Sequence, residues 1–154
     1  MKLSEHFRLS EFTKSQTATR NDIDNTPTDK EVKALKALCE NVLERIRAQF
    51  GAVKVSSGYR SKQLNTAIGG SATSQHTKGE AADIEVPKIS NQVLAEWIAG
   101  NCDFDQLILE FHEPSKGPDS GWVHVSWVNP TKNRKQVLKA SRVNGKTVYT
   151  TGLK

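Results

Sequence analysis

The sequence predicts an α+β fold in which a mostly antiparallel β-sheet is packed with helices. Its 154 residues suit one domain with a substantial core, because domains commonly contain roughly 100–150 residues. Helical apolar spacing occurs in few segments, whereas several short stretches alternate between apolar and polar residues, as strands do. Asn144-Gly145 lies between two such stretches and is typical of an antiparallel hairpin. We therefore expect a single domain over residues 1–154.

The first third of the chain is expected to contain an arm followed by the longest helix. Residues 1–28 show no clear period and should form an extended, partly irregular arm held by apolar anchors, namely Leu3/Phe7, Leu9/Phe12 and Ile23. Thr28, with Glu31 three residues later, forms the capping-box pattern that marks a helix N-terminus. Apolar residues then recur at helical spacing up to Gly51, which predicts one helix over residues 29–50.

Shorter elements are predicted for the rest of the chain. Alternation indicates strands in six stretches, namely 53–56, 82–86, 104–111, 122–127, 136–143 and 146–151. A short helix is expected at residues 61–68. Ser90 can cap a further helix, whose core face should carry Val93, Leu94, Trp97 and Ile98. We divide the domain into the arm, a core over residues 29–128 and a C-terminal β-hairpin over residues 129–154.

Composition excludes several classes of protein. The longest uncharged apolar runs are only a few residues, such as Leu107-Ile108-Leu109, whereas a membrane-spanning helix needs about 20, so no membrane insertion is expected. The N-terminus lacks the apolar stretch of a secretory signal peptide, so synthesis and residence in a cytoplasm are expected first. Cys39 and Cys102 are too few for a disulfide framework and should be buried free thiols. A monomer is the default expectation.

The net charge of +5 favours polyanionic partners, such as nucleic acid or an anionic cell wall. The cationic residues are scattered, however, and they are not interleaved with aromatic residues. A solvated basic face explains this pattern better than a nucleic-acid-binding surface does. No nucleic-acid partner is therefore expected.

Three residues in the middle of the chain point to metal chemistry. His76 lies in a loop near Gly79, Asp83 near the start of a strand, and His124 inside a strand. Taken singly, each has a simpler explanation as a loop or sheet residue. Together they suit zinc, which binds imidazole nitrogen and carboxylate oxygen and, in catalytic sites, keeps one position open for water. Zinc can lower the pKa of that water to about 7, giving a hydroxide nucleophile.

Three motifs in this order resemble the zinc D-alanyl-D-alanine carboxypeptidase family, which includes the vancomycin-resistance dipeptidases and the L-alanyl-D-glutamate peptidases of phage endolysins. They are Ser57-Gly58-Tyr59-Arg60-Ser61, Ser74-x-His76-x-x-Gly79-x-Ala81-x-Asp83 and Trp122-Val123-His124-Val125-Ser126. The resemblance covers roughly residues 28–128, and the short chain looks most like the compact phage branch. It implies a Hedgehog-like peptidase fold with residues 29–128 as the catalytic core.

The resemblance also implies roles for individual residues. His76, Asp83 and His124 would be the ligands of one zinc ion. Arg60 would reach the scissile carbonyl or its developing oxyanion, a task that suits a guanidinium because it stays charged and offers several donors. Ser74 could bind substrate or merely hold its loop, and Trp122 could line the cleft.

The general base is the position at which the sequence departs from the family pattern. The dipeptidase branch has a Glu three residues before its last histidine ligand, where this chain has Gly121. Hydrolysis still needs a carboxylate to move the proton of the attacking water to the leaving amine. We predict Glu110 for this role, with Asp119 second and Glu113 third. His112 is expected to be an exposed loop residue.

The sequence therefore predicts a zinc metallopeptidase of bacterial peptidoglycan stem peptides, most simply a phage endolysin that cleaves between L-alanine and D-glutamate. D-alanyl-D-alanine carboxypeptidase activity would use the same site. A Hedgehog-like module that binds zinc without hydrolysis is the alternative from another class. For a phage enzyme we expect release from the host cytoplasm to the periplasm and cell wall through a holin pore.

Overall fold

Six strands form one mixed sheet in the computed structural model, which describes residues 1–154. The strands are β1 (Lys54–Ser57), β2 (Ala81–Glu85), β3 (Gln106–Glu110), β4 (Trp122–Ser126), β5 (Gln136–Val143) and β6 (Lys146–Thr151). Their order across the sheet is β1-β2-β4-β3-β5-β6, and every pair is antiparallel except β3 with β5. The expected α+β architecture with a mostly antiparallel sheet is confirmed.

The two faces of the sheet have different compositions. Because side chains alternate along a strand, residues paired across strands share a face. One face is apolar, fully buried and packed with the helices, and it consists of Ala82, Ile84, Leu107, Leu109, Val123 and Val125. The other face carries the polar residues of the three central strands, among them Asp83, Glu110 and His124. The hydrophobic core thus fixes which side chains the opposite face presents.

The long helix predicted over residues 29–50 is present but interrupted. It comprises α3 (Asp29–Leu38), one π-helical turn (Cys39–Leu43) and α4 (Glu44–Phe50). The capping interaction forms, since the Thr28 N–H and hydroxyl donate to the Glu31 carboxylate at 3.1 and 2.7 Å. The apolar spacing could not reveal the π turn, because it fits an uninterrupted α-helix equally well.

The N-terminal arm is more ordered than the sequence indicates. It contains two short helices, α1 (Ser10–Thr13) and α2 (Gln16–Arg20), instead of extended chain. Leu3, Phe7 and Phe12 are buried in the core as expected, but Ile23 is only half-buried and lies outside the core cluster. The expectation failed because helices of four or five residues are too short to show a period.

The remaining helices are α5 (Lys62–Ala67) and α6 (Asn91–Asn101). The Ser90 hydroxyl caps α6 by accepting a hydrogen bond from the Val93 N–H at 3.1 Å, as predicted. Val93 itself is half exposed, so its expected place on the core face is wrong; the buried face of α6 carries Asn91, Leu94, Ala95 and Ile98.

The C-terminal hairpin forms with the predicted turn, in which Asn144 and Gly145 both have positive φ values of 51° and 77°. The place of this hairpin in the sheet could not be inferred from the alternation of apolar and polar residues. Strand β5 pairs in parallel with β3, so the hairpin extends the main sheet beyond the core.

Cys39 and Cys102 are buried free thiols, as expected, and burial raises the pKa of both. Among the helices, none combines the length and the apolar composition that crossing a bilayer requires.

Candidate metal centre and its cleft

The three predicted ligands come from three elements and meet at one point. Asp83 on β2 lies directly opposite His124 on β4, and His76 lies in a 3₁₀ turn (Gln75–Lys78) above them. The Asp83 Oδ1 atom is 3.0 Å from His124 Nδ1 and 3.3 Å from His76 Nε2. All three side chains are buried. Residues separated by up to 48 positions thereby form one cluster.

The local backbone orients His76. The Ser74 hydroxyl accepts a hydrogen bond from the His76 N–H at 3.2 Å and caps the turn. Gly79 ends the turn with a φ of 73°, where a Cβ would contact the backbone of Glu31. His76 Nδ1 lies 2.7 Å from the carbonyl oxygen of Gly58, to which it can donate a proton. This contact orients the ring so that Nε2 faces Asp83.

The cluster stabilises the ionised form of its carboxylate. Burial alone would raise the pKa of Asp83, but the adjacent His76 and His124 imidazoles outweigh it and hold that pKa well below its usual range. For His124, burial lowers the pKa, and the hydrogen bond and charge of Asp83 outweigh this effect and raise it. Asp83 is therefore ionised at neutral pH, as a carboxylate that binds a metal ion must be.

The residues fit a divalent metal ion. Their ligand atoms lie within 4.8 Å of one another. Around an ion with bonds of about 2.1 Å, tetrahedral ligands would be about 3.4 Å apart, which is close to the two distances from Asp83 Oδ1. Two imidazole nitrogens and one carboxylate oxygen form a donor set that zinc accepts and that leaves a fourth position open.

Arg60 lies beside the cluster, on the loop after β1. The Asn25 side chain holds this loop from both sides, because it accepts from the Ser61 N–H at 2.7 Å and donates to the Tyr59 carbonyl at 3.1 Å. The guanidinium donates to Ser57 Oγ, and its Nη2 is 3.5 Å from Asp83 Oδ2. The N-terminal arm therefore takes part in positioning Arg60.

Glu110 lies on the same sheet face as the ligands. In the pairing of β3 with β4, Glu110 is opposite Trp122, and Ile108 is opposite His124. The Trp122 indole N–H donates to the Glu110 carboxylate at 2.6 Å. Burial raises the pKa of Glu110, and the negative charge of Asp83 adds to this effect against the opposing influence of His124 and Trp122. A raised carboxyl pKa beside a metal site suits proton transfer.

These residues share one cleft of about 490 Å³. Its lining includes all the predicted site residues except the second and third candidates for the base: Arg60, Ser74, His76, Asp83, Glu110, Trp122 and His124. The cleft thus contains the predicted site residues of the three motifs together with Glu110 from β3. Their individual roles remain predictions.

The alternative carboxylates lie elsewhere. Asp119 lines a separate depression beside Glu85 and Asn91. Glu113 is exposed and pairs with Lys116 at 3.0 Å. The expectation that His112 is exposed is wrong: it is buried, and its Nδ1 is 3.0 Å from the Ser120 carbonyl. Of the three candidates for the base, only Glu110 lines the cleft with the metal ligands.

Gly121 has a structural reason for departing from the family pattern. Its φ is 70°, and a Cβ there would overlap the carbonyl oxygen of Glu110 and lie 2.8 Å from the His112 nitrogen. No side chain fits at this position while β3 and β4 keep their pairing.

Substitution of Gly121 by Ala should lower the free energy of unfolding by about 2–4 kcal/mol, from left-handed backbone strain and steric overlap together. The matched control is Gly145→Ala, where φ is 77° but no atom beyond the adjacent residues lies within 4 Å of the new Cβ. Urea denaturation should show the smaller loss for Gly145→Ala, and equal losses would contradict the steric argument.

Sequence reasoning missed several cleft residues. Tyr149 and Arg134 lie outside the expected catalytic core, yet both line the cleft. The Arg134 guanidinium is fixed by the buried carboxylate of Asp105 at 2.8 and 3.0 Å, and Gln75, next to His76, donates to the same carboxylate at 3.0 Å. In the sequence, only the position of Gln75 next to a predicted ligand indicated that it belongs to the site. Arg134 and Tyr149 reach the cleft because β5 pairs with β3, and local sequence pattern does not show that pairing.

The chain is similar to a known protein family. A search of curated proteins found no match. A protein-family model described as Peptidase M15 matches residues 5–126, which is well over half of the chain. The match confirms the family resemblance of the three motifs and includes all three candidate ligands, Arg60 and Glu110, but not the hairpin. The chain therefore belongs to the peptidase M15 family.

Proposed function

We propose that the protein is a zinc metallopeptidase that hydrolyses peptide bonds in the stem peptides of bacterial peptidoglycan. The observation that carries the proposal is the convergence of a buried His/Asp/His cluster, a carboxylate with a raised pKa and an arginine in one cleft. Membership of the peptidase M15 family supports the same chemistry. A site that only bound metal would not need Glu110 and Arg60 beside the ligands.

The chemistry divides between the ion and the chain. A zinc ion bound by His76, Asp83 and His124 would supply a Lewis acid that polarises the scissile carbonyl and lowers the pKa of water. Glu110 takes a proton from the attacking water and later gives it to the leaving amine. The Trp122 indole holds the Glu110 carboxylate on the sheet face that carries His124.

Arg60 stabilises the negative charge that develops on the carbonyl oxygen. Its guanidinium is pre-oriented by Ser57 and Asn65, at 3.1 and 3.3 Å, so little reorganisation accompanies the reaction. Because Arg60 is half-buried beside Asp83, water only partly screens the attraction between its guanidinium and the carbonyl oxygen.

Within this function we propose endopeptidase cleavage between L-alanine and D-glutamate, of the phage-endolysin kind. The motif resemblance supports it, and the net charge of +5 would favour association with an anionic wall. Release from the host cytoplasm through a holin pore belongs to the same proposal.

The test is mass spectrometry of soluble products from purified Gram-negative peptidoglycan. The protein is assayed as purified, after chelation, and after chelation followed by zinc. Zinc-restored peptides with a new D-glutamate N-terminus are the expected result. Zinc-restored loss of D-alanine alone would assign carboxypeptidase activity instead. Stoichiometric zinc with no products under any condition would favour a non-hydrolytic module.

Substitution of Arg60 by Ala should lower kcat by about 10²–10³-fold, the usual cost of removing an oxyanion donor. The Arg60→Lys variant should recover only part of the lost kcat, because an ammonium lacks the planar set of N–H donors that a guanidinium has. Arg45→Ala, an exposed arginine outside the cleft, is the control and should match the parent. Unchanged kcat in Arg60→Ala with normal zinc content would remove Arg60 from the mechanism.

A further inference from the structure

The hairpin places an aromatic residue in line with the proposed base. Across the sheet, Trp122 pairs with Glu110, Glu110 with Ala140, and Ala140 with Tyr149. Because directly paired residues share a face, these four side chains form one row on the face that carries the metal ligands. Tyr149 lies two strands beyond Glu110 in that row, on the side opposite Trp122.

Ala140 makes this arrangement possible. Its side chain is fully buried between the two larger neighbours and is small enough for the Tyr149 ring to extend toward Glu110. Tyr149 lines the cleft, and like every residue of β6 it is exposed. The residue as a whole is 54% exposed, so its side chain is accessible to a ligand.

The phenol is a free hydrogen-bond donor. None of the side-chain hydrogen bonds involves the Tyr149 hydroxyl, and the Glu110 carboxylate accepts from the Trp122 indole instead. Partial burial raises the pKa of Tyr149, and the Glu110 carboxylate raises it further, so the hydroxyl stays protonated at neutral pH. The negative charge of Glu110 would also repel a ligand carboxylate bound next to the Tyr149 hydroxyl. A neutral carbonyl oxygen is the better acceptor.

We propose that the hairpin side of the cleft is a substrate subsite in which the Tyr149 hydroxyl donates a hydrogen bond to a backbone carbonyl of the bound peptide. The inference rests on the proposed peptidase function for the identity of the ligand. It assigns a substrate contact to a residue outside the segment that matches the family model. The subsite would then lie on the C-terminal hairpin, which follows the matched segment.

Tyr149→Phe should raise KM for a soluble stem peptide by roughly 3–10-fold, the value of one neutral hydrogen bond, and change kcat less than twofold. Tyr149→Ala should raise KM further, because the ring is also lost. Val148→Ala is the matched control: Val148 is exposed on the same strand, points to the other face and should leave KM unchanged. Thermal unfolding should be similar for Tyr149→Phe and the parent.

A second measurement separates this inference from the proposed function. Calorimetry compares binding of the same peptide to zinc-loaded Glu110→Gln with binding to the Glu110→Gln/Tyr149→Phe double variant. Cleavage by the parent with an unchanged KM in Tyr149→Phe would overturn the subsite and leave the function standing. No cleavage, but weaker binding by the double variant, would overturn the function and leave the subsite standing. Equal binding by both variants, or none by either, would overturn the subsite.

Discussion

Replacing Glu110 by Gln should lower kcat by about 10²–10⁴-fold, which is the usual contribution of a positioned proton-transfer group. Gln has nearly the same size and can still accept the hydrogen bond from the Trp122 indole, but it cannot take a proton from water. Glu110 is not one of the three clustered ligands, so zinc should remain bound at one ion per chain. Peptide release from peptidoglycan and zinc content, measured on the same sample, check both parts.

The controls for Glu110→Gln are the two other carboxylates considered for the base. Asp119→Asn and Glu113→Gln should retain the activity of the parent, since neither residue lines the cleft. Full hydrolysis by Glu110→Gln would reject the assignment. A large loss in Asp119→Asn instead would mean that the loop closes over the cleft when substrate binds.

Replacing His124 by Ala should abolish stoichiometric zinc binding and reduce hydrolysis to the background of the chelated parent. His124 supplies one of three ligand atoms, and its removal also leaves the buried Asp83 carboxylate without its 3.0 Å partner. Two remaining ligands hold zinc poorly, because structural and catalytic sites in proteins use at least three. Zinc analysis after gel filtration measures the loss directly.

Thermal unfolding gives a readout of the same site that is independent of activity. Zinc that binds only the folded chain should stabilise the parent by about 2.7 kcal/mol at a free concentration of 100 Kd, and chelation should remove that gain. The Tm of His124→Ala should not respond to zinc or chelator. His6→Ala, at an exposed histidine paired with Glu44, is the control and should respond as the parent does. Full zinc occupancy in His124→Ala would exclude the proposed ligand set.

Local pattern was sufficient for the parts of the fold that depend on neighbouring residues. The capping box at Thr28 and Glu31, the cap at Ser90 and the Asn144-Gly145 turn all form as predicted, because each depends on contacts within a few positions. The three candidate metal ligands were also predicted from sequence, since two short motifs carry them. The prediction depended on the resemblance of these motifs to a zinc peptidase family, because the spacing of the residues alone would not have indicated a metal.

Local pattern failed where elements are short or where burial depends on distant segments. The helices α1 and α2 are too short to show a period. His112 is buried with its Nδ1 3.0 Å from the Ser120 carbonyl, a contact that the sequence does not predict. The half-exposed position of Val93 likewise depends on how α6 sits against the sheet.

The sequence by itself determined the α+β class and the longer helices and strands, and it predicted the three candidate ligands and Arg60. Only the tertiary structure decided that Glu110 lies in the cleft while Asp119 does not, and that Tyr149 completes its far side. The physical reason is strand register. Pairing of β3 with β4 and β5 sets which side chains share a row, and that pairing is fixed by burial of the opposite, apolar face. No single stretch of the sequence encodes this pairing.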